Sequence, residues 1–187
     1  MEYLYILLIA FPLGMVAFST GFWGGVYRCL CISEVIMAAV AFMLFQAGLF
    51  WVGSWTGHSF ANSIGWMAVP FAITIILLTG VKFIYGALRT RPEQKSYDLS
   101  KYGELLAVSF ASALNAFVIG LGFGLLREVT DDIIVGIVIA TAILGIAGIY
   151  TGKYRGRFIY ATFAGILAGA AVMALGIVLA LDFYGLV

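Results

Sequence analysis

Six uncharged, apolar stretches of about 20 residues recur along this chain, and they limit its fold more than any other feature. A helix of this length crosses the hydrocarbon core of a bilayer, which is roughly 30 Å thick. The stretches are apolar on every face, whereas strands of membrane β-barrels alternate apolar and polar residues. The sequence therefore predicts an all-α integral membrane protein with six transmembrane helices. The predicted spans are Tyr3–Tyr27, Val35–Gly53, Ile64–Val81, Leu105–Leu126, Ile133–Gly152 and Phe158–Leu181.

Composition supports this class. Hydrophobic residues make up 64% of the chain and charged residues 10%, against roughly 45–50% and about 25% in soluble domains. We therefore expect the lipid bilayer to be the main partner. The net charge of +1 argues against nucleic acid as a partner, because nucleic-acid binding requires a basic surface. The two cysteines, Cys29 and Cys31, are too few for a disulfide framework and do not complete a metal site.

The basic residues predict the orientation in the membrane. In a six-span arrangement, nine of the ten lysines and arginines fall on one side, and Arg127 falls on the other. An excess of basic residues marks the cytoplasmic side of a membrane protein. The sequence therefore predicts a multi-pass cell-membrane protein with both termini outside and the loop between spans 3 and 4 in the cytoplasm. The nine residues are Arg28, Lys82, Arg89, Arg91, Lys95, Lys101, Lys153, Arg155 and Arg157.

The second half of the chain repeats the first at an offset of 99 residues, without a gap. Identical pairs run through all three spans of each half, which chance matching of apolar residues does not readily give. They include Tyr3/Tyr102, Ala17/Ala116, Phe18/Phe117, Gly21/Gly120, Gly25/Gly124, Gly53/Gly152, Gly57/Gly156 and Gly86/Gly185.

Three spans per repeat is an odd number, so the second repeat is predicted to be inverted relative to the first. Inverted repeats are a recurrent plan of secondary transporters, with the binding site near the bilayer midplane. We predict a single membrane domain over 1–187, with repeat 1 at about 1–88, a cytoplasmic linker at about 89–101 and repeat 2 at about 102–187. A duplicated membrane protein that transports nothing is the alternative.

Glycines four residues apart occur at equivalent places in both repeats, at Gly21/Gly25 and Gly120/Gly124. Small residues at this spacing allow helix backbones to approach closely in lipid. We expect them to pack helices within one chain. The same faces also suit packing between two copies, which leaves a homodimer open.

Polar residues inside predicted spans are the candidate site residues, because a polar group in hydrocarbon is costly without a partner. Asn115 lies near the middle of span 4, and Ser112 lies on the same helical face. Their oxygens suit a hard cation, and an interhelical hydrogen bond is the competing interpretation. Val16, the repeat equivalent of Asn115, has the hydroxyls of Ser19 and Thr20 beside it.

Gln46 is a second deep amide, in span 2. Glu34, Lys82 and Glu104 lie near the cytoplasmic ends of spans 2, 3 and 4, where we expect them to form the mouth of the site. Snorkelling of these side chains to the membrane interface is the alternative.

No Asp or Glu lies deep in any predicted span. The sequence also has no nucleotide-binding P-loop, no histidine-rich metal motif and no catalytic triad pattern. We therefore expect neither an enzyme nor a bound cofactor.

Five segments resemble the MntP-type manganese efflux pump family of the LysE transporter superfamily, over nearly the whole chain. Residues 14–19, GMVAFS, are similar to the family segment S-M-D-A-F-A, and residues 112–120, SALNAFVIG, to T-S-I-D-A-L-A-V-G. Residues 80–85, GVKFIY, resemble G-G-K-M-I-Y. Phe45-Gln46 and Ser33-Glu34 resemble family positions in span 2.

The resemblance implies a secondary transporter that exports Mn²⁺ or another divalent cation by alternating access, with its site between spans 1 and 4. The family has an aspartate, the expected metal ligand, at each of the positions of Val16 and Asn115. Here Asn115 keeps one oxygen ligand without the charge, and is the candidate metal ligand. Export of a neutral or zwitterionic solute is a second hypothesis, because deep carboxylates are missing. A membrane protein with a structural or interaction role is the third.

Overall fold

The computed structural model describes residues 2–89, 97–126, 129–156 and 159–183, and these form six α-helices and one short 3-10 helix, Gly65–Met67, with no strand among them. Each α-helix is long and apolar enough to cross a membrane, which confirms the predicted fold class. Arg91, Lys95, Arg127 and Arg157, used in the orientation argument, lie outside the described residues, as does most of the predicted linker. The helices are α1 (Glu2–Tyr27), α2 (Ile32–Ile64), α3 (Ala68–Arg89), α4 (Tyr102–Gly124), α5 (Asp131–Arg155) and α6 (Ile159–Phe183).

Helix α2 differs most from its predicted span, because it continues past Gly53 to Ile64. The added residues are polar enough to end a hydropathy-based span, yet their hydroxyls are satisfied within the helix. Thr56 donates to the carbonyl of Val52 at 2.7 Å, and Ser59 donates to that of Trp55 at 2.8 Å. The helix ends at Gly65, where φ is +58° and a side chain would be strained.

Glycines bring α1 and α5 into backbone contact as parallel neighbours. A Cβ on Gly148 would collide with the carbonyl of Phe18, and one on Gly152 with that of Phe22. From the other side, Gly25 lies against the carbonyl of Ile149. Helices that pack in lipid gain from such close approach, because no hydrophobic force drives them together.

Helices α2 and α4 form an equivalent parallel pair. A Cβ on Gly53 would collide with the carbonyl of Phe117, and one on Gly57 with that of Leu121. Helices α3 and α6 pack antiparallel, with Gly80 and Gly169 against each other.

The two parallel pairs differ in register by one helical turn. Phe18 lies against Gly148 in the first pair, whereas its repeat equivalent Phe117 lies against Gly53 in the second. Gly53 is the repeat equivalent of Gly152, four residues beyond Gly148. At 1.5 Å per residue, the registers differ by about 6 Å.

The bundle is packed differently at its two ends. We call the end at which α1, α3 and α5 finish and α2, α4 and α6 begin the linker side, and the opposite end the far side. In the far half, residues of all six helices form one hydrophobic core around Ile9, Leu13, Ile119, Ile137 and Leu175. The linker half holds smaller clusters and leaves open space between helices.

We predict that Gly53→Ala destabilises the protein by about 1–3 kcal/mol, because the new methyl group overpacks the contact with α4. Gly48→Ala, on the same helix, has open space at its Cβ and should be neutral or slightly stabilising. Thermal unfolding in detergent measures both. Equal effects of the two substitutions would show that backbone contact does not set the α2–α4 packing.

Candidate functional site

A cavity of about 610 Å³ lies in the linker half, between α1, α3, α4 and α6. The space remains open because α1 and α4, which face each other across the cavity, make little contact with each other. Tyr97, just before α4, also lines it. Its volume falls within the roughly 300–1,000 Å³ of small-molecule sites.

Six of the nine residues predicted for the pathway and its mouth line this cavity. Repeat equivalents Val16 and Asn115 both belong to the lining, on α1 and α4. Asn115 is near the middle of α4, so this end of the cavity reaches the middle of the helix bundle. The six are Val16, Ser19, Thr20, Lys82, Ser112 and Asn115.

Lys82 and Asn115 are joined across the cavity. The Lys82 Nζ donates a hydrogen bond to the Asn115 Oδ1 at 3.0 Å, and the Asn115 Nδ2 donates to the carbonyl of Ser112 at 3.3 Å. The long side chain of Lys82 thus carries its ammonium from the linker-side part of α3 towards the middle of the bundle. Asn115 in turn is held in place by its own helix.

The hydroxyls of the cavity are tied to their own helices. Thr20 donates to the carbonyl of Val16 at 2.9 Å, and Ser112 donates to that of Ser109 at 2.9 Å. Their lone pairs remain able to accept a hydrogen bond from a ligand.

Gln46 is fully buried but is not part of the cavity lining. Its Oε1 accepts a hydrogen bond of 3.3 Å from Thr141 on α5, and no partner of its Nε2 is found among the described residues. The amide thus links α2 to α5.

The three residues expected at the mouth are not gathered at one place. Glu34 accepts from the backbone N–H of Cys31 at 2.7 Å and caps the start of α2. Glu104 accepts from the backbone N–H of Asp98 at 2.9 Å and from Lys101 at 3.3 Å. Lys82 is bound to Asn115 instead.

A polar network on the linker side joins the end of α1 to the segment just before α4. Arg28 donates to the hydroxyl of Ser100 at 3.0 Å, and Ser100 donates to Asp98 at 2.6 Å. The bond from Ser100 holds the pKa of Asp98 below its ordinary value, and the bond to Glu104 raises the pKa of Lys101. This network fixes the segment that places Tyr97 against the cavity.

Sequence reasoning missed the aromatic residues of the site. Trp23, which lines the cavity, lies four residues after Ser19 on the same face of α1, so helical periodicity contained the signal. Tyr97 lies in a non-periodic segment that gave none, and burial raises the pKa of its phenol. Cys29 and Cys31 are exposed free thiols at the turn after α1.

The charge of the cavity is positive. Lys82 lines it, and none of its described lining residues is an Asp or Glu. The described residues also contain no group of three or more His, Cys, Asp or Glu side chains placed to hold a metal. A cation in this cavity therefore finds neutral oxygen ligands and a neighbouring ammonium.

Comparison with known proteins places the chain among membrane transporters. The family profile described as "Putative manganese efflux pump" matches residues 29–180. The "Putative manganese efflux pump MntP" of Methanothermobacter thermautotrophicus is 29% identical, over 97% of this chain and 97% of its own. The proteins of that name from Methanobrevibacter smithii and Campylobacter curvus are 29% and 31% identical, over 95% and 91% of this chain and 96% and 92% of their own. No solved structure gives a significant match.

We predict an energetic coupling of about 1 kcal/mol between Lys82 and Asn115, below the usual range for charged hydrogen bonds because water reaches the cavity. A double-mutant cycle of Lys82→Met and Asn115→Leu, followed by thermal unfolding in detergent, measures it. Strictly additive effects of the two substitutions would show that the bond contributes nothing.

Proposed function

Since the chain belongs to the manganese efflux pump family, we propose that it is a secondary transporter that exports a small solute by alternating access around the central cavity. The chain is a multi-pass membrane transport protein, as its family and its six apolar helices establish. Beyond this, we propose where the transport pathway lies, how it opens and which solutes are candidates.

One observation carries the proposal: a cavity with a few polar groups reaches the middle of the bundle from one side, and the other side is filled by the hydrophobic core. Its lining residues lie in the linker-side parts of α1, α3, α4 and α6, and the far half is filled by the hydrophobic core. The basic residues favour a cytoplasmic location for the linker side. In that orientation the cavity faces inward, ready to take up a solute for export.

The two parallel helix pairs differ in register, and this difference supports two inverted repeats that hold different conformations. In this interpretation the structure is one of two alternative states of the protein. If the repeats exchange conformations, α1 and α5 take the register that α2 and α4 now have. Phe18 then lies against Gly152 and Phe22 against Gly156, so both new contacts again fall on glycines. A slide of α5 along α1 by one turn, about 6 Å, is therefore sterically open.

Mn²⁺ is the first candidate solute, because the relatives are named as manganese efflux pumps. In this chain it would be held by Asn115 and by hydroxyl oxygens, which are acceptable but neutral ligands for a hard cation. The second candidate is a neutral or zwitterionic solute. The lack of carboxylates in the described lining and the ammonium of Lys82 favour it.

Mn²⁺ as the solute predicts that the chain lowers cellular manganese under manganese load, in cells that lack their own exporter, and that Asn115→Ala abolishes the effect. Elemental analysis of washed cells measures this, with Thr56→Ala as a control outside the cavity lining. Unchanged manganese with the intact chain, at expression equal to that of the variants, would exclude Mn²⁺ and leave the second candidate.

We predict that Gly148→Ala shifts the protein away from the inward-facing state. Its methyl group collides with the carbonyl of Phe18 in the present register, but faces Gly14 after the one-turn slide. In a Cys29→Ser, Cys31→Ser background, Ser112→Cys should then react more slowly with an impermeant thiol reagent from the cytoplasmic side. Gly48→Ala should leave the rate unchanged. An unchanged rate in folded Gly148→Ala protein would contradict the slide.

A further inference from the structure

The ammonium of Lys82 is the only charge among the described residues that line the cavity. We infer that the cavity recognises its solute through a carboxylate group that binds the ammonium of Lys82, and that the solute is a small organic anion or zwitterion. The inference rests on the proposed function, because it takes the cavity to be the transport site, and it names the class of solute.

The first support is the charge balance. An ammonium has three donors, and the recorded hydrogen bond of Lys82 uses one of them, to Asn115. Glu104, the acidic residue in the first turn of α4, is bound to Lys101 and to the backbone of Asp98. Asp182 lies in the last turn of α6, on the far side of the bundle. The described lining therefore supplies no carboxylate for Lys82, and a bound solute completes the pair.

The second support is that the side-chain oxygen of Asn115, which a metal would need as a ligand, already has a hydrogen-bond partner. Asn115 Oδ1 already accepts from Lys82 at 3.0 Å, and its other amide atom donates to the carbonyl of Ser112. A divalent cation on this oxygen would lie next to an ammonium, and like charges at that distance repel. The same geometry suits a carboxylate. The ammonium of Lys82 attracts a carboxylate, and the hydrogen bond to Asn115 holds that ammonium in the cavity.

The third support is the size and character of the walls. The cavity of about 610 Å³ is far larger than an inorganic ion. Much of its lining is apolar, with Trp23, Phe83, Val108 and Leu114 around the polar groups. Sites of this kind bind organic molecules, whose apolar parts fill the walls while a few polar groups fix the orientation. The solute is therefore an organic carboxylate.

The test uses ligands that share a three-carbon skeleton and differ in charge. Sodium propionate, propionamide and propylammonium chloride are added to the purified full-length protein in detergent, with sodium chloride and manganese chloride as further arms. A ligand that binds the folded state raises the temperature of unfolding. We expect propionate to raise it and the other four to have little effect.

Variants assign the effect to Lys82. Lys82→Gln should weaken apparent propionate binding at least about tenfold, because a hydrogen bond between two charged groups is lost. Lys82→Arg should keep most of the binding, because it keeps the charge. Lys153→Gln, at the end of α5 outside the cavity lining, is the matched control and should bind as the intact chain does.

Four results would overturn the inference. They are no effect of propionate on the intact chain, equal propionate binding by Lys82→Gln, an equal effect of chloride, and stabilisation by Mn²⁺ in place of propionate. The proposed function is tested separately. A chain that exports manganese but does not bind propionate removes the inference alone, whereas a chain that binds propionate but moves no solute removes the proposed function.

Discussion

Backbone contact through glycine is the constraint on which the rest of this structure depends. In lipid, helices gain little from burying apolar side chains against each other, so stable pairs require close approach. Gly148 and Gly152 provide it between α1 and α5, and Gly53 and Gly57 provide it between α2 and α4. Because α1 and α4 each pack tightly on another helix and only sparingly on each other, open space remains between them. The cavity is thus a consequence of where the glycines lie.

The same contacts allow movement as well as packing. A glycine interface has few side chains to interlock, so a shift of one turn costs little when glycines recur every four residues. Helix α5 has them at Gly148 and Gly152, and Gly156 follows its last residue. Helix α2 has Gly53 and Gly57, but Leu49 stands where α5 has Gly148. The two helix pairs therefore differ in how easily they change register. Helix α5 slides along α1 more easily than α2 slides along α4.

Much of the fold was predictable from the sequence, because the length and hydropathy of a span follow directly from the thickness of the bilayer. The end of α2 was not, because hydropathy does not show that Thr56 and Ser59 satisfy their hydroxyls within the helix. Asn115 was found because a deep amide is rare in a span. The hydrogen bond from Lys82 to Asn115 was not predicted, since the position of Lys82 in the chain suggested the interface, and a long side chain reaches inward as easily as outward. Tyr97 had no periodic signal at all.

Alternating access requires that one site in the middle of the bundle is reached in turn from the two sides of the membrane. The direct measurement is the reaction of Val16→Cys with an impermeant thiol reagent in sealed, oriented vesicles, in a Cys29→Ser, Cys31→Ser background. We expect Val16→Cys to react from the cytoplasmic side and also from the outside, and Ala107→Cys, in the linker-side part of the cavity, to react from the cytoplasmic side only. Reaction of Val16→Cys from one side alone, in protein that remains folded, would contradict alternating access at this site.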